Sequence, residues 1–228
     1  SYARGYCPNI IHGTGEKCKL FYGRDHNSLY GRAKIWYNAG KREWIRERIT
    51  MRMRKRQNLA PRMEACRSVW LEDAAYLRGN WRSLMPQARE LRLEIGCGKG
   101  KFTVETAALE PDVLFVAVER VQEALVLAME KALSMGLKNV YFLSIDAAKL
   151  EEYFAPGEVD LIYLNFCDPW PRKKNAKRRL TFHTFLKSYQ RVLRLNGEIH
   201  FKTDNAPLFE WSLGEFEACG LEIRNLTR

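Results

Sequence analysis

The sequence predicts an α/β fold, a mostly parallel sheet with helices on both faces. Between residues 91 and 226 short apolar runs alternate with helix-length amphipathic segments, the pattern of parallel strands joined by crossover helices. Several of those runs close on an acidic or amide residue, where open α/β sheets place their ligands. From Met51 onward the chain has 178 of its 228 residues, about right for one such domain with a sizeable core.

Each element follows from its own residues. After Pro61, the segment Met63 to Leu77 suggests a leading helix that Trp81 and Leu84 pack onto the domain. Leu91 to Ile95 is the first strand, and Gly96-Cys97-Gly98-Lys99-Gly100 turns it into a helix over Phe102 to Leu109. Glycines at alternate positions permit positive φ and close approach of backbone to a ligand. Val113 to Val118 forms the second strand, closed by Glu119, and the helix Val121 to Met135 ends at Gly136 as its C-cap. Val140 to Ile145 is the third strand, ending at Asp146, and Val159 to Leu164 the fourth. A helix over Thr181 to Leu193, a strand over Glu198 to Lys202, a helix over Pro207 to Cys219 and a sixth strand over Leu221 to Leu226 complete the domain.

Residues 1 to 50 mix glycines, tyrosines and basic residues without a sustained period, apart from a possible helical patch near Glu43 to Arg56. They are expected to be an appended, weakly ordered extension. Met51 to Arg62 carries Arg52, Arg54, Lys55, Arg56 and Arg62 with no acid, so it is either an arm that touches a polyanion or a solvated one.

Composition narrows the partners. A net charge of +11 favours a polyanion. The charge is concentrated: the eight residues Arg172 to Arg179 hold six positive charges, and no acid occurs from Pro169 to Gly197. The six cysteines are scattered, with no C-x-x-C pair and no histidine at ligand spacing, which points to reduced thiols and no zinc site. No run of about 18 apolar residues could cross a membrane, and the chain does not open with the layout of a signal peptide, so a cytoplasmic location is expected.

Two motifs carry the chemistry. The glycine loop, with Glu119 about 20 residues beyond it as a ribose partner, suits a nucleotide-type ligand. A dinucleotide is disfavoured: Lys101 stands where the last glycine of G-x-G-x-x-G belongs, and Glu94 would repel a pyrophosphate but attract an ammonium or sulfonium. S-adenosylmethionine has both cations, a ribose and no phosphate. The second motif is Asn165-Phe166-Cys167-Asp168-Pro169-Trp170-Pro171 at the end of the fourth strand, directly followed by the basic run. It sets polar groups and a stiff aromatic beside a place for phosphates.

Leu93 to Gly100, Leu164 to Pro171, Lys177-Arg178-Arg179-Leu180-Thr181 and His200-Phe201-Lys202-Thr203-Asp204-Asn205 together resemble the bacterial tRNA (guanine-N7-)-methyltransferase family, in its order and approximate spacing, from about Met51 to the C-terminus. The resemblance implies a Rossmann-like class I methyltransferase with S-adenosylmethionine as donor. It implies formation of 7-methylguanosine at position 46 of the tRNA variable loop, by a monomer or homodimer. The cofactor set it implies is Glu94 for the methionine ammonium, Glu119 for the ribose, and Asp146 with Ala147 for the adenine, completed by Gly96, Gly98, Gly100, Asn165 and Asp168. Asp168 matches the family's catalytic aspartate, and Arg172 and Asp204 match substrate positions. Lys174, Lys177, Arg178 and Arg179 would clamp phosphates, and Trp170 would stack on a base or pack in the core. Asp146 and Asp204 could instead be helix N-caps. A full class I sheet has one more, antiparallel strand, and family members carry a downstream Thr-x-Tyr/Phe-Glu segment. Neither is present, so the domain is expected to be C-terminally truncated, with an unpaired position beside its sixth strand. The competing readings are a class I methyltransferase with another substrate and a non-catalytic RNA-binding module.

Overall fold

A computed structural model describes residues 32–37 and 58–227. Its strands are β1 (Arg32–Tyr37), β2 (Glu90–Ile95), β3 (Val113–Val118), β4 (Val140–Leu143), β5 (Val159–Asn165), β6 (Leu193–Thr203) and β7 (Glu222–Thr227). The helices are α1 (Leu59–Ala65), α2 (Lys101–Leu109), α3 (Gln122–Ser134), α4 (Leu150–Tyr153), α5 (His183–Val192) and α6 (Ala206–Ala218). The strands form one sheet in the order β4-β3-β2-β5-β6-β1-β7, and every pairing is parallel.

Strands buried on both faces read as continuous apolar runs rather than alternating ones, and β3, with all six residues buried, is the clearest case. Its Leu114, Val116 and Val118 join the core layer containing Leu186, Tyr189 and Phe216, while Phe115 and Ala117 join the layer containing Val104, Leu125 and Met129. Helices α5 and α6 thus cover one face, and α2 and α3 the other. The predicted strands and crossover helices stand within one or two residues of their expected bounds, apart from β6, which begins at Leu193.

The position beside the last strand on its β6 side is not empty, although β7 itself stays the edge of the sheet among the described residues. β1 fills it, pairing Ala33 with Ile199 and Ile35 with Phe201 on one side and Ala33 with Ile223 on the other. This corrects the expectation of weak order for these six residues, and the sheet runs across the expected boundary at residue 51. The strand is parallel to both neighbours, unlike the antiparallel strand whose absence was expected. Its period of two explains the fit: Ala33 and Ile35 are fully buried, while Lys34 bonds Glu198 at 2.8 Å and Arg32 approaches Glu222 at 3.9 Å. Such register is strongly specified because a one-residue slip would put Ile35 on the charged side.

The leading helix is shorter and earlier than predicted. After α1 the chain straightens, and Val69 to Leu71 pair alongside β4 through Leu71 N–H to Phe142 O (3.0 Å) and Phe142 N–H to Val69 O (2.8 Å). Trp81 does pack onto the domain: it is fully buried, donates to Tyr153 O at 2.9 Å and stacks on Phe154. Arg62, the described end of the basic arm, is committed to Glu130 at 2.6 Å. The helical patch near Glu43 to Arg56 and the rest of that arm lie outside the described residues. No helix among the described residues is long and apolar enough to cross a membrane.

Candidate active site

All strands being parallel, their C-terminal ends share one rim. Connections lead away from β2 in both directions along the sheet, and the crevice at that reversal is where such sheets bind ligands. A cleft of about 540 Å³ opens there, walled by Gly96, Gly98, Glu119, Asp146, Ala147, Phe166, Asp168, Trp170, Lys177 and Arg178, among others.

The glycine loop has divided duties. All three glycines have positive φ, 78°, 56° and 69° at Gly96, Gly98 and Gly100. A Cβ on Gly98 would meet nothing within 4 Å, whereas one on Gly100 would lie 2.4 Å from the Ala128 Cβ of α3. Gly98 therefore opens toward the cleft. Gly100, expected to contact the cofactor, lets the loop close on a helix and is not among the residues of the wall.

Glu119 accepts from Gly98 N–H at 3.0 Å and Val121 N–H at 2.8 Å, which ties the loop to the end of β3. Asp146 accepts from Ala148 N–H at 2.9 Å and faces the Arg120 guanidinium at 3.5 Å. It caps the 3₁₀ turn of residues 147–149 and lines the cleft at once.

Glu94 stands behind the wall. It is 3% exposed and accepts from Thr103 Oγ1 and from Asn165 Nδ2 at 3.1 Å, so it joins β2, α2 and β5. Burial raises its carboxyl above the usual range, against the pull of those two donors. Neither Glu94 nor Asn165 touches the wall. A cation brought near would favour the ionised form that burial opposes, so the donor set fits a ligand with an ammonium or sulfonium, a ribose and an adenine.

The Asp168 loop has a different construction. Phe166 and Trp170 flank it with φ of 50° and 41°, left-handed values that non-glycine residues rarely adopt. Asp168 itself is exposed and lines the cleft. The neighbouring Cys167 thiol is pushed up to about 12 by burial and is inert as a nucleophile.

The basic run separates into three groups. Arg172 and Lys174 are exposed, and neither side chain makes a hydrogen bond or ion pair among the described residues. Lys177 and Arg178 line the cleft, and the Arg178 guanidinium lies 3.8 Å from the centroid of the Trp170 ring, so Trp170 is neither a core residue nor a bare platform. Arg179 turns inward and donates to Pro169 O and Trp170 O, so its expected place among the phosphate clamps does not match its geometry. Asp204 is exposed at the end of β6 and off the cleft wall. It does not cap α6, since that bond comes from Leu208 N–H to Asn205 Oδ1 at 2.9 Å.

Sequence reasoning missed Phe166, Phe185, Leu180 and Arg120 as wall residues and Thr103 as the partner of Glu94. Phe166 and Arg120 carried a signal, each lying directly after a strand-closing polar residue. His183 and His200 pair with Glu215 and Glu198, off the wall. Among the described residues no group of three His, Cys, Asp or Glu side chains is placed to hold a metal ion.

Comparison with known proteins gives the family. A family model described as "Putative methyltransferase" matches residues 88–226. The tRNA (guanine-N(7)-)-methyltransferase of Lactococcus lactis subsp. cremoris (strain SK11) is 40% identical over 176 residues, 77% of this chain and 81% of that protein. The protein of that name from an Exiguobacterium species is 43% identical over 171 residues, 75% of this chain and 80% of its own. Among solved structures, the antibiotic-resistance methyltransferase Kmr superposes with a TM-score of 0.47 at 20% identity, over 64% of this chain and 85% of that one. The chain belongs to the S-adenosylmethionine-dependent tRNA (guanine-N7-)-methyltransferase family.

Proposed function

We propose that this chain methylates N7 of the guanosine at position 46 of the tRNA variable loop, acting in the cytoplasm as a monomer or homodimer. The observation that carries the reading is one cleft with two amide-anchored carboxylates, Glu119 and Asp146, at one end and the exposed Asp168 beside a basic surface at the other.

S-adenosylmethionine supplies the reaction with an electrophilic methyl group on a sulfonium. Glu119 accepts from the ribose hydroxyls with its geometry already set by Gly98 and Val121 N–H. Asp146 and Ala147 hold the adenine. Glu94, seated by Thr103 and Asn165, favours the methionine ammonium through its charge, from behind the wall.

Guanine N7 is already a nucleophilic lone pair, so no strong base is required. The protein's task is alignment, and bringing two reactants into register can supply about 7 kcal/mol or more of the barrier. Asp168 accepts from guanine N1–H and the 2-amino group, a donor pair that adenine lacks, and so selects guanine while holding it in line. Asp204 contacts the same nucleoside's surroundings, and Arg172, Lys174, Lys177 and Arg178 meet phosphates, which makes binding weaken steeply with salt.

The test is nucleoside mass spectrometry on unmodified tRNA incubated with the chain and the donor. The expected product is 7-methylguanosine from the variable loop, and no methylated nucleoside would refute the reading. Asp168→Asn should lower turnover about 10²-fold or more while donor affinity stays within about twofold. An unchanged rate would remove Asp168 from the mechanism.

A further inference from the structure

The basic run of residues 172–179 reads in sequence as a single phosphate-binding stretch, yet one of its members is spent elsewhere. Arg179 Nε donates to Pro169 O at 3.0 Å and its Nη2 donates to Trp170 O at 3.1 Å, so one guanidinium grips two consecutive carbonyls of the loop that carries Asp168. The same guanidinium lies 4.3 Å from the centroid of Trp211 on α6, which in turn stacks on Phe182 with an interplanar angle of 4°. We propose that Arg179 is a positioning residue, which pins the Asp168 loop to α6 and so sets the place of Asp168 in the cleft, rather than a phosphate clamp.

The loop needs such a pin. Pro169 and Pro171 have no N–H to donate. Among the described residues no backbone–backbone hydrogen bond joins residues 167–171 to the rest of the chain; the last before them is Phe166 N–H to Lys202 O, and the next begins at Arg172 O. Within this stretch Trp170 is held at φ 41°, and Phe166 just before it at 50°. Left-handed conformations of non-glycine residues persist only where the surroundings hold them. The two carbonyls satisfied by Arg179 supply that hold, and the planar fork of arginine meets both in a fixed geometry that the point charge of a lysine ammonium does not reproduce. The neighbours make the contrast: Lys177 and Arg178 are exposed at the cleft and Arg179 is half-buried.

This assignment rests on the proposed role of Asp168, so its test has one arm that needs no substrate. The full chain is labelled with 5-fluorotryptophan, and the fluorine signals of Trp170 and Trp211 are assigned by single Trp→Phe changes. Arg179→Lys should shift or broaden both signals and leave that of the distant Trp81 in place. In the second arm, Arg179→Lys should lower kcat about 10-fold to 10²-fold, with KM for tRNA and the salt dependence of binding unchanged. Guanidinium ion, against sodium at equal ionic strength, should restore part of the turnover of Arg179→Ala. Should Arg179→Ala fail to fold, the lysine variant keeps both arms readable.

A phosphate clamp predicts the opposite pattern. The slope of log affinity against log salt would become shallower by about 0.7 to 0.9, KM would rise, kcat would hold, and the Trp170 signal would not move. That result overturns the proposal, as does a variant indistinguishable from the parent in both arms. If the parent chain forms no 7-methylguanosine, the functional reading fails, and the fluorine spectra still decide whether Arg179 pins the loop.

Discussion

The two halves of the sheet hold their functional acids in opposite ways. On the donor side, β2, β3 and β4 follow one another in the chain, and the carboxylates that close β3 and β4 accept from backbone N–H groups within two residues or across the glycine loop. On the acceptor side, Asp168 and Asp204 are exposed and carry no hydrogen bond or ion pair among the described residues. Side-chain contacts build that half, with Arg179 on the Asp168 loop and Lys34 on Glu198. The donor pocket is thus preorganised by local backbone, as electrostatic recognition of a fixed cofactor requires. On the proposed function, the acceptor acids stay solvated until a base presents its own donors, and their partners come with the substrate.

The largest expected effect comes from breaking β1, because it inserts a distant segment between β6 and β7. Ile35 is fully buried there. Ile35→Asp places an unpaired charge in the core and should cost about 4 kcal/mol or more, a fall in Tm of about 10 °C. Donor affinity, titrated below that transition, should stay within about twofold, since β2 to β4 do not touch β1. An unchanged Tm would mean that β1 is not part of the folded sheet.

What was legible in the sequence divides along the same line. The six strands of residues 90–227 are clear because their apolar runs end in punctuation, a glycine turn or a closing acid. For the same reason Glu94, Glu119, Asp146 and Asp168 were placed in one crevice, and the structure has the last three on the cleft wall and Glu94 behind it. β1 escaped because six alternating residues among glycines and tyrosines carry a weak signal, and its partner in β6 lies more than 160 residues away. Side-chain direction was equally hidden. Nothing local separates a glycine that opens to a ligand from one that yields to a helix, or Arg179 from Arg178. Glu94 was singled out as a cofactor residue, but the spacing did not reveal that Thr103 and Asn165 seal it behind the wall.

The glycine loop sharpens the comparison at intermediate magnitude. Gly100→Ala would drive a methyl to 2.4 Å from Ala128 Cβ and 2.9 Å from its Cα, at φ 69°, and should cost about 2–4 kcal/mol of stability. Gly98→Ala meets open space, so only the left-handed backbone at φ 56° opposes it, at about 1 kcal/mol. Its methyl enters the cleft, however, and donor affinity should fall about tenfold. Thermal unfolding and calorimetric titration of both variants separate the two effects. Equal losses in both assays would refute the division of duties.

The smallest effect tests how β1 is anchored. Glu198 is lowered to about 2, first by the hydrogen bond with His200 and then by Lys34 across the β1–β6 register. Burial holds the His200 imidazole below its ordinary value, so near neutral pH Lys34 is the charged partner. A carboxylate whose folded value is depressed stabilises fully above its unfolded value and loses that contribution as pH falls toward the folded one. The advantage of the parent chain over Glu198→Gln should therefore persist down to about pH 4.5 and close toward pH 2. The pair is partly exposed, so the gap should be about 1 kcal/mol, a few degrees of Tm. A gap that ignores pH over this range would mean that β1 is held by Ala33 and Ile35 alone, and that the charged side of the strand only sets its register.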